Sequence, residues 1–305
     1  MMIFDAHCDV LMKIWLNKYI SFQQDPSLHV TYKEMERVGA KIQLFAIYIP
    51  EGVPVEQRFD VALEMIQLFH LSILSMPNMK FIQSRKDVNQ LKENEIGAVL
   101  TLEGCDAIGQ SIVRLQTLIR LGVRSVGLTW NYANNVADGI LEERGAGLST
   151  FGKEVVSENN KANIWTDVSH VSVRGFWDVM ERAEYVIASH SNAYNLCAHP
   201  RNLQDDQISA LIKKNGVIGI TFVPEFLSST ADATIQDVLN HLEYVCSLGG
   251  EHHVGFGSDF DGIDKTVKGL HSYRNYEQLI NELYKHYSST QVQNFLYYNF
   301  VKRLC

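Results

Sequence analysis

The chain has 305 residues, 46% of them hydrophobic and 20% charged, with only six prolines. That composition argues against a disordered or collagen-like chain and predicts a large buried core. Lys and Arg number 27 against 35 Asp and Glu, a formal net charge of −8; with no basic stripe, sequence-independent nucleic-acid binding is not expected, because it rests on neutralising phosphates.

The chain opens MMIFDAHCDVL, with acidic residues at 5 and 9 and no cationic stretch ahead of an apolar one, so no secretory signal is expected. No apolar run reaches bilayer-spanning length. The last residues, NFVKRLC, offer neither a hydrophobic anchor tail nor a cysteine placed for prenylation. The cysteines (Cys8, Cys105, Cys197, Cys246 and Cys305) are odd in number, widely spaced and without a CxxC pair. They argue against a disulfide scaffold or a thiolate zinc knuckle and fit a reducing compartment. A cytoplasmic protein with a small-molecule or peptide partner is expected.

Strand-like apolar runs fall at 2–7, 41–49, 96–102, 123–129, 164–169, 185–190, 216–223 and 253–258. Several are apolar at consecutive positions, as in a parallel sheet covered on both faces. Helical spacing separates them. Val61, Met65, Leu68 and Phe69 mark one helix, Leu115, Leu118 and Ile119 another, and 172–183, 204–214 and 234–248 three more. Eight strands separated by helices predict a closed (β/α)8 TIM-type barrel, one hydrolase domain over 1–305, with two extra C-terminal helices. An open doubly wound sheet is the alternative. No dinucleotide or P-loop fingerprint follows any strand, and GCDAIG after the third run has the wrong spacing.

Polar residues cluster where these runs end. The first ends in His7-Cys8-Asp9, and alternation puts His7 and Asp9 on one side and Cys8 on the other. The third is apolar until Glu103, the fifth ends at His170, the sixth at His190, and the eighth delivers Asp259. A barrel gathers these ends into one mouth. Each residue alone has a structural explanation, but five strands ending in a ligand or base do not follow from core packing. His29, His70, His241, His271 and His286 read as solvated. His252 and His253 stand at the opposite end of the barrel, and His199 as a loop-capping residue.

Three imidazoles with carboxylates suit a borderline divalent metal such as zinc. The set exceeds the needs of one catalytic ion and fits two, roughly 3.5–4 Å apart. His7, Asp9 and Glu103 would hold one and Glu103, His170 and His190 the other, with Glu103 bridging because a carboxylate has two oxygens. A metal-bridged water with its pKa pulled toward about 7 would attack as hydroxide. Asp259 would then take its proton and pass it to the leaving group.

At these residues the chain resembles the membrane dipeptidase (renal dipeptidase) family of zinc peptidases, in the amidohydrolase-like barrels. The stretches are DAHCDV at 5–10, LTLEG ending at Gly104 and followed by Cys105, DVSH at 167–170, SHSNAYNLCAHPRN at 189–202 and GFGSDFDG at 255–262. The resemblance implies a binuclear zinc site from His7, Asp9, Glu103, His170 and His190, with Asp259 as acid/base group. It also implies Arg201 as the residue that binds a substrate carboxylate, which a guanidinium fork grips bidentately. It further implies dipeptide hydrolysis, with tolerance of a D-residue at the second position, and a homodimer. One position departs from the family. Where its best-studied members carry a substrate-contacting histidine, this chain reads LTWNYANN with Trp130, which can stack on a substrate or donate from its indole N–H but cannot carry a proton. A zinc dipeptidase is therefore expected. The alternatives are an amidohydrolase acting on an N-acyl amino acid or cyclic amide, and a metal-holding barrel without turnover.

Overall fold

The computed structural model describes residues 1–230 and 232–304. Its strands are β1 (Ile3–Asp5), β2 (Ala40–Tyr48), β3 (Met79–Phe81), β4 (Ile96–Glu103), β5 (Val123–Gly127), β6 (Trp165–Asp167), β7 (Val186–Ala188), β8 (Val217–Ile220) and β9 (Val254–Phe256). All pair in parallel, and eight of them close into a ring, β1-β2-β4-β5-β6-β7-β8-β9 and back to β1. The fold is thus the expected (β/α)8 barrel, and the open sheet is ruled out by the β9–β1 and β2–β4 pairs. The ninth strand, β3, was not anticipated. It lies along the start of β4, with Met79 opposite Ile96 and Phe81 opposite Ala98, and three residues are too few to show a period.

Alternation along the strands builds two apolar layers. Phe4, Leu44, Val99, Trp165, Ile187 and Val217, from six different strands, form one buried cluster inside the ring. Phe45, Ile47, Leu100 and Leu102 face the other way, into the larger core beneath the helices. The terminal helical segment closes the base of the barrel instead of merely following it. The Phe300 ring stacks on Phe4 with centroids 4.8 Å apart, and Trp165 Nε1 donates to the Arg303 carbonyl at 2.9 Å. Gly255 makes this approach possible, since a Cβ there would stand 2.8 Å from the Phe295 carbonyl oxygen and 2.9 Å from the Phe300 ring.

Two histidines differ from expectation: His29 in part, its Nδ1 accepting from the Asp261 N–H at 3.0 Å, and His241 fully. His241 is not solvated but buried in helix Ile235–Val245. Its Nδ1 accepts from the Ala193 N–H and its Nε2–H donates to the Leu227 carbonyl, both at 3.0 Å. Its spacing from Val238, Leu242 and Val245 sets it on the helix's inner face, which its polar neighbours in sequence disguise. His29 is half-buried, while His70, His271 and His286 are exposed. Cys8, Cys105, Cys197 and Cys246 carry free thiols; Cys305 lies outside the described residues. Among the described residues no helix is long and apolar enough to cross a membrane.

Candidate active site

The C-terminal ends of the strands bring the sequence-selected residues together. His7 and Asp9 follow β1, Glu103 ends β4, Trp130 follows β5, His170 follows β6, His190 and Arg201 follow β7, and Asp259 follows β9. Glu103 shares the inward phase of Val99 on its strand and so points into the mouth. His170 and Asp259 adopt positive φ, 68° and 64°, a conformation that costs non-glycine residues energy and recurs where side chains must be aimed.

Glu103 is the hub. One of its oxygens lies 3.4 Å from His7 Nε2, and the other lies 3.0 Å from His170 Nε2 and 3.8 Å from His190 Nε2. His7 Nε2 is also 3.3 Å from an Asp9 oxygen and 3.8 Å from one of Asp259. The two Nε2 atoms of His170 and His190 are 2.8 Å apart. Each ring is oriented from behind. His170 Nδ1 lies 2.9 Å from Asn131 Oδ1, and His190 Nδ1 lies 2.8 Å from Ser189 Oγ. An amide oxygen only accepts, so His170 carries its proton on Nδ1 and presents the Nε2 lone pair to the mouth.

Burial and charge set the protonation states. Burial pulls His7 down, but the Glu103 and Asp9 carboxylates outweigh it and hold the ring well above its ordinary pKa. Burial raises Asp9 to about 7, helped by the neighbouring Glu103 charge. Burial would raise Glu103 too, but the neighbouring His7 holds it well below the usual carboxylate range. Asp259 is raised by burial, against the pull of His7. His170 falls to about 3 and His190 falls well below the usual value, both first through burial and then through neighbouring cations.

This donor set fits divalent metal. His7, Glu103 and His190, and likewise His7, Asp9 and Asp259, offer ligand atoms within 4.8 Å of one another. Asp9 Oδ1 is buried with no hydrogen-bond partner among the described residues, and His7 Nε2, although beside two carboxylates, makes no well-aligned hydrogen bond to either; such groups are normally satisfied. Gly262 leaves space for the acidic side, since a Cβ there would lie 2.3 Å from Asp9 Oδ2 and 2.8 Å from Asp259 Oδ1.

A pocket of about 190 Å3 opens on this cluster, walled by Tyr48, Trp130, Phe226 and Ile263. Trp130 lies against Tyr48, with ring centroids 5.3 Å apart. Arg201 also lines it, although only 4% exposed. One guanidinium nitrogen donates to the His190 carbonyl at 3.3 Å, the Nε has no partner among the described residues, and the group sits 5.4 Å over the Phe226 ring. His199 braces this loop, accepting from the Arg201 N–H at 3.2 Å and stacking on Phe226.

Sequence reasoning missed Tyr48, Asn131, Ser189, Phe226 and Gly262. Tyr48 was within reach of the strand-end rule, since it stands one residue before the end of the second predicted run and closes β2; the others contribute through contacts between distant segments.

A parallel barrel with three imidazoles and three carboxylates converging at its C-terminal mouth defines a metal-dependent hydrolase. Residues 1–304 match the family model of the membrane dipeptidases, peptidase family M19, and the chain belongs to that family. It is 36% identical over 267 residues to dipeptidase aclJ of Aspergillus oryzae, covering 81% of this chain but 62% of that relative, so it spans less than two thirds of that protein. It is 30% identical to an uncharacterized dipeptidase of Schizosaccharomyces pombe, covering 95% of this chain and 76% of the other. Among solved structures, a metallopeptidase from Rhodobacter sphaeroides liganded with a phosphinate mimic of the dipeptide L-Ala-D-Ala superposes with a TM-score of 0.93 at 26% identity, over 100% of this chain and 99% of that one. Dipeptidase AC, a metallopeptidase of family M19, also gives 0.93, at 27% identity over 99% and 97% of the two chains.

Proposed function

We propose that this chain hydrolyses the single amide bond of small dipeptides, L-D as well as L-L, with two divalent ions, zinc foremost. The observation that carries this is Arg201, a buried guanidinium that lines the pocket together with Asp259 and Glu103 and whose Nε has no hydrogen-bond partner among the described residues. Burial lowers its pKa to about 10, so it remains a cation at neutral pH, and a buried cation calls for an anion on the ligand. A dipeptide supplies a terminal carboxylate there and places its one amide bond toward Glu103 and Asp259.

His7, Asp9 and Glu103 would hold one ion and Glu103, His170 and His190 the other. Such ions supply a Lewis acid and lower the pKa of bound water toward about 7. Asp259 holds the proton released on attack and delivers it to the leaving amine nitrogen. Arg201 fixes the substrate carboxylate. Trp130 and Tyr48 wall the pocket and contact the substrate side chains, and the small volume favours small ones, in keeping with the L-Ala-D-Ala mimic held by the Rhodobacter sphaeroides protein. A homodimer, carried over from the family, and a cytoplasmic location, argued from cysteine usage, complete the proposal.

The test follows free amine release from L-L and L-D dipeptides and N-acetyl amino acids by the metal-loaded protein. Dipeptide cleavage with the acetyl compounds untouched is expected. Cleavage of the acetyl compounds alone would assign another amidohydrolase activity, and no cleavage with metal fully bound would leave a binding protein.

A further inference from the structure

Two buried carboxylates outside the candidate ligand set, Asp5 and Asp167, make the same unusual pattern of bonds. Each is the last residue of its strand, β1 or β6. Asp5 Oδ1 accepts from the His7 N–H at 3.3 Å and from the Ser258 N–H, beyond β9, at 2.8 Å. Asp167 Oδ1 accepts from the Ser169 N–H and from the Ser189 N–H, beyond β7, both at 3.0 Å. One oxygen therefore ties two neighbouring strand ends together, twice.

At β1 the tie coincides with a break in side-chain phase. Phe4 and Ala6 belong to the cluster inside the barrel, so unbroken alternation would turn His7 outward. Cys8 lies instead in the outer core, its thiol donating to the Leu44 carbonyl at 3.3 Å, and His7 faces the mouth. The strand ladder is interrupted where the phase changes and resumes at the Cys8–Phe260 bridge, and the buried N–H groups of His7 and Ser258 in between need another acceptor. Asp5 provides it. The same junction carries Asp259, whose N–H donates to the His7 carbonyl at 3.2 Å, while Ser258 Oγ donates to that carbonyl at 3.1 Å. At β6, the residue after Ser169 is His170, and the Ser169 hydroxyl accepts from the His190 N–H at 3.1 Å.

We propose that Asp5 and Asp167 are positioning residues. Asp5 sets His7 against Asp259, and Asp167 sets His170 against His190. This role rests on the assignment of those histidines as metal ligands. The bonds need an acceptor oxygen, not a charge: Asp5 Oδ2 has no hydrogen-bond partner among the described residues. An asparagine therefore keeps the tie and an alanine removes it.

The experiment uses the full chain, stripped of metal and titrated with Zn2+ against a chelating dye, with Co2+ absorption spectra as a second readout. Asp5→Ala and Asp167→Ala are expected to weaken zinc binding about 10- to 100-fold, the usual cost of losing a supporting partner behind a ligand. Their kcat should fall in step, their KM should move less and their Co2+ spectra should change. Asp5→Asn is expected to keep wild-type affinity and spectrum. Folded Asp5→Ala with wild-type zinc affinity and spectrum would overturn the proposal, as would Asp5→Asn as impaired as Asp5→Ala. Should Asp5→Ala fail to fold, Asp5→Asn and Asp167→Ala decide by the same criteria. Wild-type protein that binds no zinc would instead overturn the ligand assignment itself.

Discussion

Nε2 of His170 stands 2.8 Å from Nε2 of His190, while the other nitrogen of each ring faces a partner on the protein, Asn131 Oδ1 or Ser189 Oγ. His170 Nε2 is a lone pair there, and where Ser189 accepts from His190 Nδ1–H the second Nε2 is one too, so a shared neighbouring cation satisfies both. Asn131 should therefore matter to metal binding without touching metal. Asn131→Ala is expected to weaken zinc affinity about 10- to 100-fold, with Asn131→Asp recovering most of it because the acceptor returns. Chelator competition measures both.

Asp259 lies beside His7 in a left-handed backbone conformation and faces the pocket. Asparagine keeps its size and removes its capacity to carry a proton. Asp259→Asn is expected to lower kcat by about 10²- to 10⁴-fold, the span general acid–base groups supply, with metal content unchanged. Steady-state kinetics beside elemental analysis checks this, and wild-type kcat would remove Asp259 from the proton-transfer role.

Arg201 binds the part of the substrate that does not react, so its loss should weaken ground state and transition state alike. Arg201→Ala is expected to raise KM by about 10- to 100-fold, equivalent to a charge-assisted hydrogen bond of about 1.5–3 kcal/mol, with a smaller change in kcat. Dipeptide amides, which lack the carboxylate, should show little difference between the two proteins.

His241 gives stability a dependence on pH. Burial lowers its pKa below the ordinary 6.5, so above that value both folded and unfolded states are neutral there and the residue adds no pH dependence. Below it the unfolded chain takes up a proton that the folded chain resists, and stability falls until the lower folded pKa is reached. Relative to His241→Gln, which does not titrate, the wild type is expected to lose up to about 1.4 kcal/mol per pH unit on acidification below about pH 6.5. Denaturant melts at several pH values measure the difference.

Much of this molecule is legible in its sequence because a parallel barrel buries both faces of its strands. The apolar runs around Leu44 and Ile218 announce strands by composition, and their ends announce the mouth. Glu103 and Asp259 were visible as acids terminating apolar runs. What stayed hidden depends on contacts between segments far apart in the chain. Gly262 is indispensable beside Asp9 only once the β1 and β9 ends meet, and the phase break between Ala6 and His7 leaves no mark in an alternating pattern. Without the family motif, Arg201 reads as an ordinary surface cation, and its burial appears only in the folded loop after β7. His241 was misplaced because its sequence neighbours are polar while its helical neighbours are not.

The most direct test is metal content, by elemental analysis of the purified protein and after reconstitution with zinc. About two ions per chain are expected, falling to about one when Glu103→Ala removes the carboxylate whose two oxygens face both groups of ligands. A wild-type chain that stays empty after reconstitution, or that binds a single ion with Glu103→Ala binding equally well, would contradict a two-ion centre built around Glu103.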